Sequence, residues 1–199
     1  GEDFVEQLNS IDNEYHRELI ARTQDRMEFL IELLNCDKWR HSSTKNGFEI
    51  SSFKDEEQGF FCVRGEGEID FPMEDVIGFI ADYDNRGKFD ELFVEGGVVE
   101  EIGMDARIEA FRINPSSMVS DRDFVIVTRK MYLSSGRFVW VAFSCEHEDH
   151  PEIKGVVRAE LIIGGWILDP IPEDPNRVHV NYIVEGNPKG SIPKFVVNF

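Results

Sequence analysis

The chain has 199 residues, of which 41% are hydrophobic and 12% aromatic, a composition typical of a single globular domain with a sizeable core. Its formal net charge of −18 argues against nucleic-acid binding, which needs clustered basic residues, and against lasting adhesion to anionic membranes. No apolar run approaches the roughly 20 residues of a membrane span, the acidic start GEDFVEQLNS is unlike a secretory signal, and three widely spaced cysteines fit a reducing cytoplasm.

The N-terminal part, 1–34, is predicted to be one long helix over residues 4–34, because apolar residues recur there at steps of three and four. Opposite charges such as Glu18 and Arg22 lie one turn apart and mark the solvent-facing side. The pattern favours a helix packed against its own domain over a helix that binds a partner.

Two strands and a helix follow in the sequence. The stretches GFEISSF (47–53) and FFCVRGEGEID (60–70) predict strands joined by a polar turn. Residues 70–85 predict a helix, since Pro72 suits its first turn and the acidic residues there complement the helix dipole. Residues 86–93 add a short helical turn.

From Val94 onward, strand-like runs alternate with short segments rich in turn-forming residues. The predicted strands are 94–102, 106–113, 123–132, 137–146, 155–168 and 177–186. Short connections favour antiparallel neighbours, and the lack of a helix after each strand excludes a parallel doubly wound sheet. The predicted fold class is therefore α+β, a single domain over 1–199 whose large antiparallel sheet must curl or be covered.

Four segments together resemble a known family, the START domain, which is the steroidogenic acute regulatory protein-related lipid transfer domain. They are VRGEGEIDFPMEDVIGFIADYDNRGKFDELFVEGGVVEEI, SDRDFVIVTRK, KGVVRAELIIGGWILDPI and NPKGSIPKFVVNF, within about residues 39–199. The resemblance implies a helix-grip fold, in which a curved antiparallel sheet wraps around a C-terminal helix and leaves a tunnel for one lipid. That last helix begins near residue 190 in the family and runs for several turns, so in a sequence that stops at Phe199 we expect it to be truncated.

Strand parity provides candidates for the tunnel wall, since Glu109, Phe111 and Ile113 share one face of their strand. Resemblance to sterol-binding members favours this face as the inward one. In some relatives a basic residue on the next strand pairs with the acid, but the matching position here is Thr128. Glu109 is therefore expected to be protonated, paired with another arginine or bound to a ligand hydroxyl, with a surface position equally open.

Further wall candidates are mostly aromatic or aliphatic strand residues, for which plain core packing is the alternative. They are Phe124, Ile126, Thr128, Trp140, Phe143, Trp166 and Tyr182.

The loop NPSSMVSD, residues 114–121, resembles the lid loop of START domains. Pro115 makes it turn-prone, and the apolar Met118 and Val119 are expected to touch lipid when the loop opens at a membrane. Four charges lie on or near its flanking strands, namely Arg112, Arg122, Asp123 and Arg158. Local hydrogen bonds and ion pairs are favoured for them over contact with a lipid head group.

The cluster CEHEDH at 145–150 offers metal-ligand side chains, but structural zinc needs ligands from two elements and no second cluster exists. We therefore expect no metal and no cofactor. The sequence also shows no nucleophile elbow.

The predicted function is non-enzymatic binding and transfer of one lipid, whether sterol, phospholipid, ceramide or fatty acid. We expect a cytoplasmic monomer that contacts membranes transiently and binds no nucleic acid. One alternative is a START-like enzyme of the cyclase or hydrolase type with Glu109 as its acid, and another is a lipid-sensing module of a larger protein.

Overall fold

The computed structural model describes residues 1–192. Its helices are α1 (Glu2–Asn9), α2 (Glu14–Asn35), α3 (Met73–Ala81) and α4 (Arg86–Phe89), with a 3-10 turn at Tyr83–Asn85 between the last two. Its strands are β1 (Arg40–Lys45), β2 (Phe48–Lys54), β3 (Phe61–Ile69), β4 (Phe93–Gly103), β5 (Ala106–Ile113), β6 (Arg122–Tyr132), β7 (Phe138–Ser144), β8 (Val157–Arg158), β9 (Glu160–Pro170) and β10 (Val178–Asn187).

Two predictions concern the last helix and membrane-spanning segments. The final helix predicted to begin near residue 190 lies outside the described residues, apart from 190–192, which are not helical. Among the residues described, no helix is both long enough and apolar enough to cross a membrane.

The predicted single helix over 4–34 is wrong, because the chain forms two helices separated by residues 10–13. Asn13 begins α2 by accepting a hydrogen bond from the His16 N–H group at 3.0 Å through its side chain. Asparagine is among the best residues for this role, since its oxygen satisfies a main-chain donor that has no partner inside the helix. The apolar spacing continues through the break, which is why periodicity alone missed it.

The strands form one sheet in the order β1-β2-β3-β10-β9-β7-β6-β5-β4. Every neighbouring pair in this order is antiparallel, and the short β8 pairs in parallel with β6. The α+β fold class with a large antiparallel sheet is therefore confirmed. Two strand predictions need correction: β1 was missed because all six of its residues are exposed, and the predicted strand 155–168 is β8 followed by β9.

The two faces of the sheet have different covers. On the outer face, α2 packs Leu30 and Met27 against apolar residues of β7 and β9. On the inner face, α3 packs Val76 and Ile77 against residues of β7, β9 and β10. Gly165 permits the close approach of α2, since an added Cβ atom there would lie 2.5 Å from the Leu30 Cδ2 atom. The inner face beyond α3 is where the cavity lies.

Candidate functional site

A cavity of about 200 Å³ lies between the inner face and the segment from α3 to α4. Nine of the ten residues predicted for the wall lie at it: Glu109, Phe111, Ile113, Phe124, Ile126, Thr128, Trp140, Trp166 and Tyr182. The wall also contains residues that the sequence analysis did not name as wall candidates, among them Ile80, Tyr83, Arg86, Asp90, Leu92, Ala142, Leu161 and Val184. Contact of these side chains with a ligand stays a prediction.

Alternation along antiparallel strands brings the first of these residues together. Glu109, Phe111 and Ile113 are two residues apart on β5, so their side chains leave the same face. In the register of β5 with β6, Ile126 lies opposite Glu109 and Phe124 opposite Phe111. The rings of Phe111 and Phe124 stack with their centres 4.9 Å apart, which makes this part of the wall aromatic.

Phe143 is the exception, and its predicted place at the cavity is wrong. Trp140 and Ala142 line the cavity, so the residue after Ala142 points to the outer face. There Phe143 is buried in one apolar cluster with Leu19 of α2, and the Arg22 guanidinium carbon lies 4.7 Å from its ring centre. This aromatic residue therefore holds α2 on the sheet.

Glu109 is buried at the cavity and accepts three hydrogen bonds from its neighbours. Tyr83 donates its hydroxyl hydrogen to Oε1 at 2.6 Å, while Thr128 donates to Oε2 at 2.6 Å. The Nε atom of Arg107 donates to Oε2 at 3.0 Å, and its Nη2 atom donates to the Ala81 carbonyl at 3.1 Å. Of the expectations for Glu109, pairing with another arginine is the arrangement found.

Sequence reasoning missed both Arg107 and Tyr83 as partners of this acid. Parity contained a signal for Arg107, which precedes Glu109 by two residues on the same face. Arg107 also lies directly opposite Thr128, so the basic residue expected at that position stands on the adjacent strand. Tyr83 comes from a distant turn and had no local signal. Burial and the Glu109 charge raise the pKa of Tyr83, so it stays a hydrogen-bond donor.

Arg86 forms a second polar group at the cavity. Its Nε and Nη2 atoms each lie 3.1 Å from the Asp90 Oδ2 atom. Its guanidinium carbon lies 5.1 Å from the Phe111 ring centre, within range of a cation–π contact. The pKa of Arg86 lies above its usual value. Burial acts to lower this pKa, but the nearby Tyr182 and Asp90 side chains raise it by more. Among residues 1–192, the Nη1 atom has no hydrogen-bond partner.

The family model described as START domain matches residues 20–199. The chain belongs to the START domain family. Members of the family are lipid-binding and lipid-transfer proteins.

The curated relatives are longer proteins than this START domain. START domain-containing protein 10 of Mus musculus is 26% identical over 130 residues, which cover 65% of this chain and 43% of that protein. The mitochondrial steroidogenic acute regulatory protein of Equus caballus is 28% identical over 170 residues, which cover 83% of this chain and 59% of that protein. The chain thus spans about half the length of the curated relatives it matches.

A solved structure, human StAR-related lipid transfer protein 5, superimposes with a TM-score of 0.82 at 21% identity. The match covers 91% of this START domain and 88% of that chain. At this level of identity the likeness establishes the shared fold.

The predicted lid loop of this START domain, 114–121, joins two strands that both contribute to the cavity wall. Met118 is 65% exposed, whereas Pro115 and Val119 are partly buried. The Ser116 hydroxyl and carbonyl accept hydrogen bonds from the main-chain N–H groups of Met118 and Val119. Contact of this loop with a membrane stays a prediction.

The four charges predicted around the loop bond to protein groups. Arg122 is buried and donates to three main-chain carbonyls. Arg158 donates to Asp123 at 2.8 Å, and the Arg112 Nε atom lies 3.3 Å from an oxygen of Asp121. In the described part of the START domain, the cavity wall includes none of the four predicted charges.

The segment 145–150 lies on the outer face of the START domain. The His147 Nε2 atom lies 3.0 Å from a Glu100 oxygen, and the His16 Nε2 atom lies 3.5 Å from the other. Because His147 Nδ1 accepts the Asp149 N–H, the ring proton belongs on Nε2, which then donates to Glu100. Within residues 1–192, no group of three or more metal-ligand side chains is arranged to hold an ion.

Proposed function

We propose that this START domain binds a single lipid in the inner-face cavity and carries it between membranes without changing it chemically. The observation that supports the proposal is an inner-face cavity whose wall is largely aromatic and aliphatic and contains a few polar groups. Such a combination is typical of small-molecule sites, where apolar area provides affinity and a few polar groups set orientation. Human StAR-related lipid transfer protein 5, which shares the fold, is named for lipid transfer.

The hydrophobic effect is sufficient to drive binding. Burial contributes about 0.8 kcal/mol per methylene group, so a chain of about 16 carbons contributes on the order of 12 kcal/mol before entropic losses. Uptake and release then require only that the mouth of the cavity opens. No reacting group is needed for either step.

The volume of the cavity supports a loading step in which the cavity widens. At about 200 Å³ it is smaller than the roughly 300–1,000 Å³ typical of ligand pockets. Helix α4 contributes Arg86 to its wall, and loop 114–121 connects two strands of the wall; both segments lie outside the paired sheet. We propose that these two segments move apart when a lipid is bound.

The polar head group of the lipid is proposed to bind Arg86. The Glu109 carboxylate already accepts three hydrogen bonds, whereas the Nη1 donors of Arg86 have no partner among residues 1–192. A guanidinium binds a phosphate or carboxylate oxygen well, and the partial burial of this one strengthens the attraction. The three hydrogen bonds that Glu109 accepts hold its carboxylate in the wall, which supports a structural role for this acid.

Lipid loading tests the proposal directly. Native mass spectrometry of the purified protein should show one lipid per chain, and vesicle-to-vesicle transfer should separate a carrier from a sensor. Arg86→Met should weaken binding of phosphate-bearing lipids by about 10- to 100-fold, since a hydrogen bond to a charged group is lost. Arg22→Met on the outer face is the matched control and should leave binding unchanged.

Two results would contradict the proposal. The first is a protein that neither contains lipid after purification nor takes it up from vesicles. The second is that Arg86→Met and Arg22→Met weaken lipid binding equally. That result would show that the affinity for lipid does not depend on the Arg86 contact at the cavity.

A further inference from the structure

Arg122 is a buried cation whose charge is met by main-chain carbonyl groups. Its side chain is among the largest fully buried ones of the described chain. The Nη1 atom donates to the Ser120 carbonyl at 2.7 Å. The Nε and Nη2 atoms donate to the Pro188 and Lys189 carbonyls at 3.1 and 2.9 Å. One side chain therefore bonds the loop before β6 and the segment after β10.

The acids beside Arg122 in the sequence have other partners. Asp121 accepts a hydrogen bond from the Asn114 amide at 2.7 Å, and Asp123 accepts one from Arg158 at 2.8 Å. Neither acid forms an ion pair with Arg122 among the pairs formed within residues 1–192. Within the described part of the chain, the three carbonyl groups are thus the hydrogen-bond acceptors of this guanidinium.

Both segments that Arg122 bonds adjoin strands that line the cavity. Loop 114–121 joins the two strands that contribute Ile113 and Phe124 to the wall, and β10 contributes Val184 shortly before the second segment begins. Gly190 makes room for the contact, because an added Cβ atom there would lie 3.1 Å from the Arg122 Nη2 atom. Gly190 also has φ of +62°, a conformation that favours glycine.

We propose that Arg122 is a positioning residue that couples loop 114–121 to residues 187–190, so that these two segments move together. If only one segment moved, some N–H groups of the buried Arg122 guanidinium would lose their acceptors. Leaving buried, charged donors without partners is strongly unfavourable. Moving both segments exposes the guanidinium to water and avoids that state. The role of this coupling in lipid uptake rests on the proposed function, but the coupling itself does not require a lipid.

Hydrogen exchange of the whole, lipid-free chain tests the coupling. Two amides report on the two segments: Val119 donates to the Ser116 carbonyl and Lys189 donates to the Asn187 side chain. Arg122→Gln should raise the exchange rate at both amides by about tenfold or more, as expected when a hydrogen bond to a charged group is lost.

Arg129→Gln is the matched control for Arg122→Gln. Arg129 is partly buried and, like Arg122, donates to a main-chain carbonyl, that of Met104 at 3.0 Å, but it pairs with Ala106 at the opposite end of β5 and β6. This variant should leave both reporter amides unchanged. If Arg122→Gln does not fold, Arg122→Lys replaces it in the experiment. Lysine keeps the charge, but its compact ammonium group cannot bond all three carbonyl groups as the guanidinium does.

A double-mutant cycle provides a second test, in which a change in loop 114–121 is followed by hydrogen exchange at Lys189. Pro115→Gly loosens the loop, and with Arg122 present it should raise exchange at Lys189. In the Arg122→Lys background the same change should leave Lys189 as it was.

Two outcomes would overturn the coupling: a response at only one reporter amide to loss of Arg122, or an effect of Pro115→Gly on Lys189 that does not depend on Arg122. Because these measurements contain no lipid, a failure of lipid uptake would count against the proposed function alone.

Discussion

The ion pair between Arg107 and Glu109 allows a quantitative test of the cavity's polar end. Arg107→Met removes the guanidinium and leaves the Glu109 carboxylate in place, with its side chain 6% exposed. A buried charge that loses its partner destabilises a protein by about 3–5 kcal/mol. For a domain of this size that corresponds to a fall in melting temperature of roughly 6–20 °C.

Removing the charge of Glu109 as well should recover much of the stability that Arg107→Met loses. In Glu109→Gln the side-chain carbonyl still accepts hydrogen bonds from Tyr83 or Thr128, so the remaining site is neutral and largely satisfied. We expect the Arg107→Met, Glu109→Gln double variant to be about 2–3 kcal/mol more stable than the sum of the single losses predicts.

Urea unfolding followed by tryptophan fluorescence provides the free energies, provided that the denaturant slope is the same in all variants. Arg112→Met is the matched control, because its partners are Glu95 and Asp121 and its side chain is 31% exposed. It should change the free energy of unfolding by less than about 1 kcal/mol. The reasoning would be refuted if the loss in the double variant equalled the sum of the two single losses within about 0.5 kcal/mol. Such additivity would show that water screens the Arg107–Glu109 pair.

Two other predictions concern pH and membranes. Burial, together with the neighbouring Asp55 carboxylate, raises the pKa of Glu185 from 4.5 to about 7. The folded chain therefore binds more protons than the unfolded chain between these values, and the free energy of unfolding should fall as pH rises from about 5 to 8. In Glu185→Gln, the urea midpoint of unfolding should depend less on pH. An unchanged pH dependence in this variant would show that other groups cause it. Replacing Met118 and Val119 together with Asp should slow transfer between vesicles severalfold at an unchanged melting temperature, since charged side chains disfavour the lipid interface. Normal transfer would show that the loop does not contact the membrane.

The sequence was sufficient where a property depends on neighbouring residues along one strand. Alternation with a period of two placed Glu109, Phe111 and Ile113 on one face, and the structure has them there. The same rule excludes Phe143, since Trp140 lies at the cavity three positions earlier. That error came from treating aromatic character as a sign of the wall without applying parity.

Tertiary structure alone decided which partners these side chains have. Tyr83 reaches Glu109 from a turn 26 positions earlier, and Arg122 bonds carbonyl groups more than 60 positions later. Such contacts depend on how the sheet curls and on where each segment crosses it. Side-chain alternation is a short-range property of the backbone and can be read locally, whereas hydrogen-bond partners are selected by distances that exist only after the whole chain has packed.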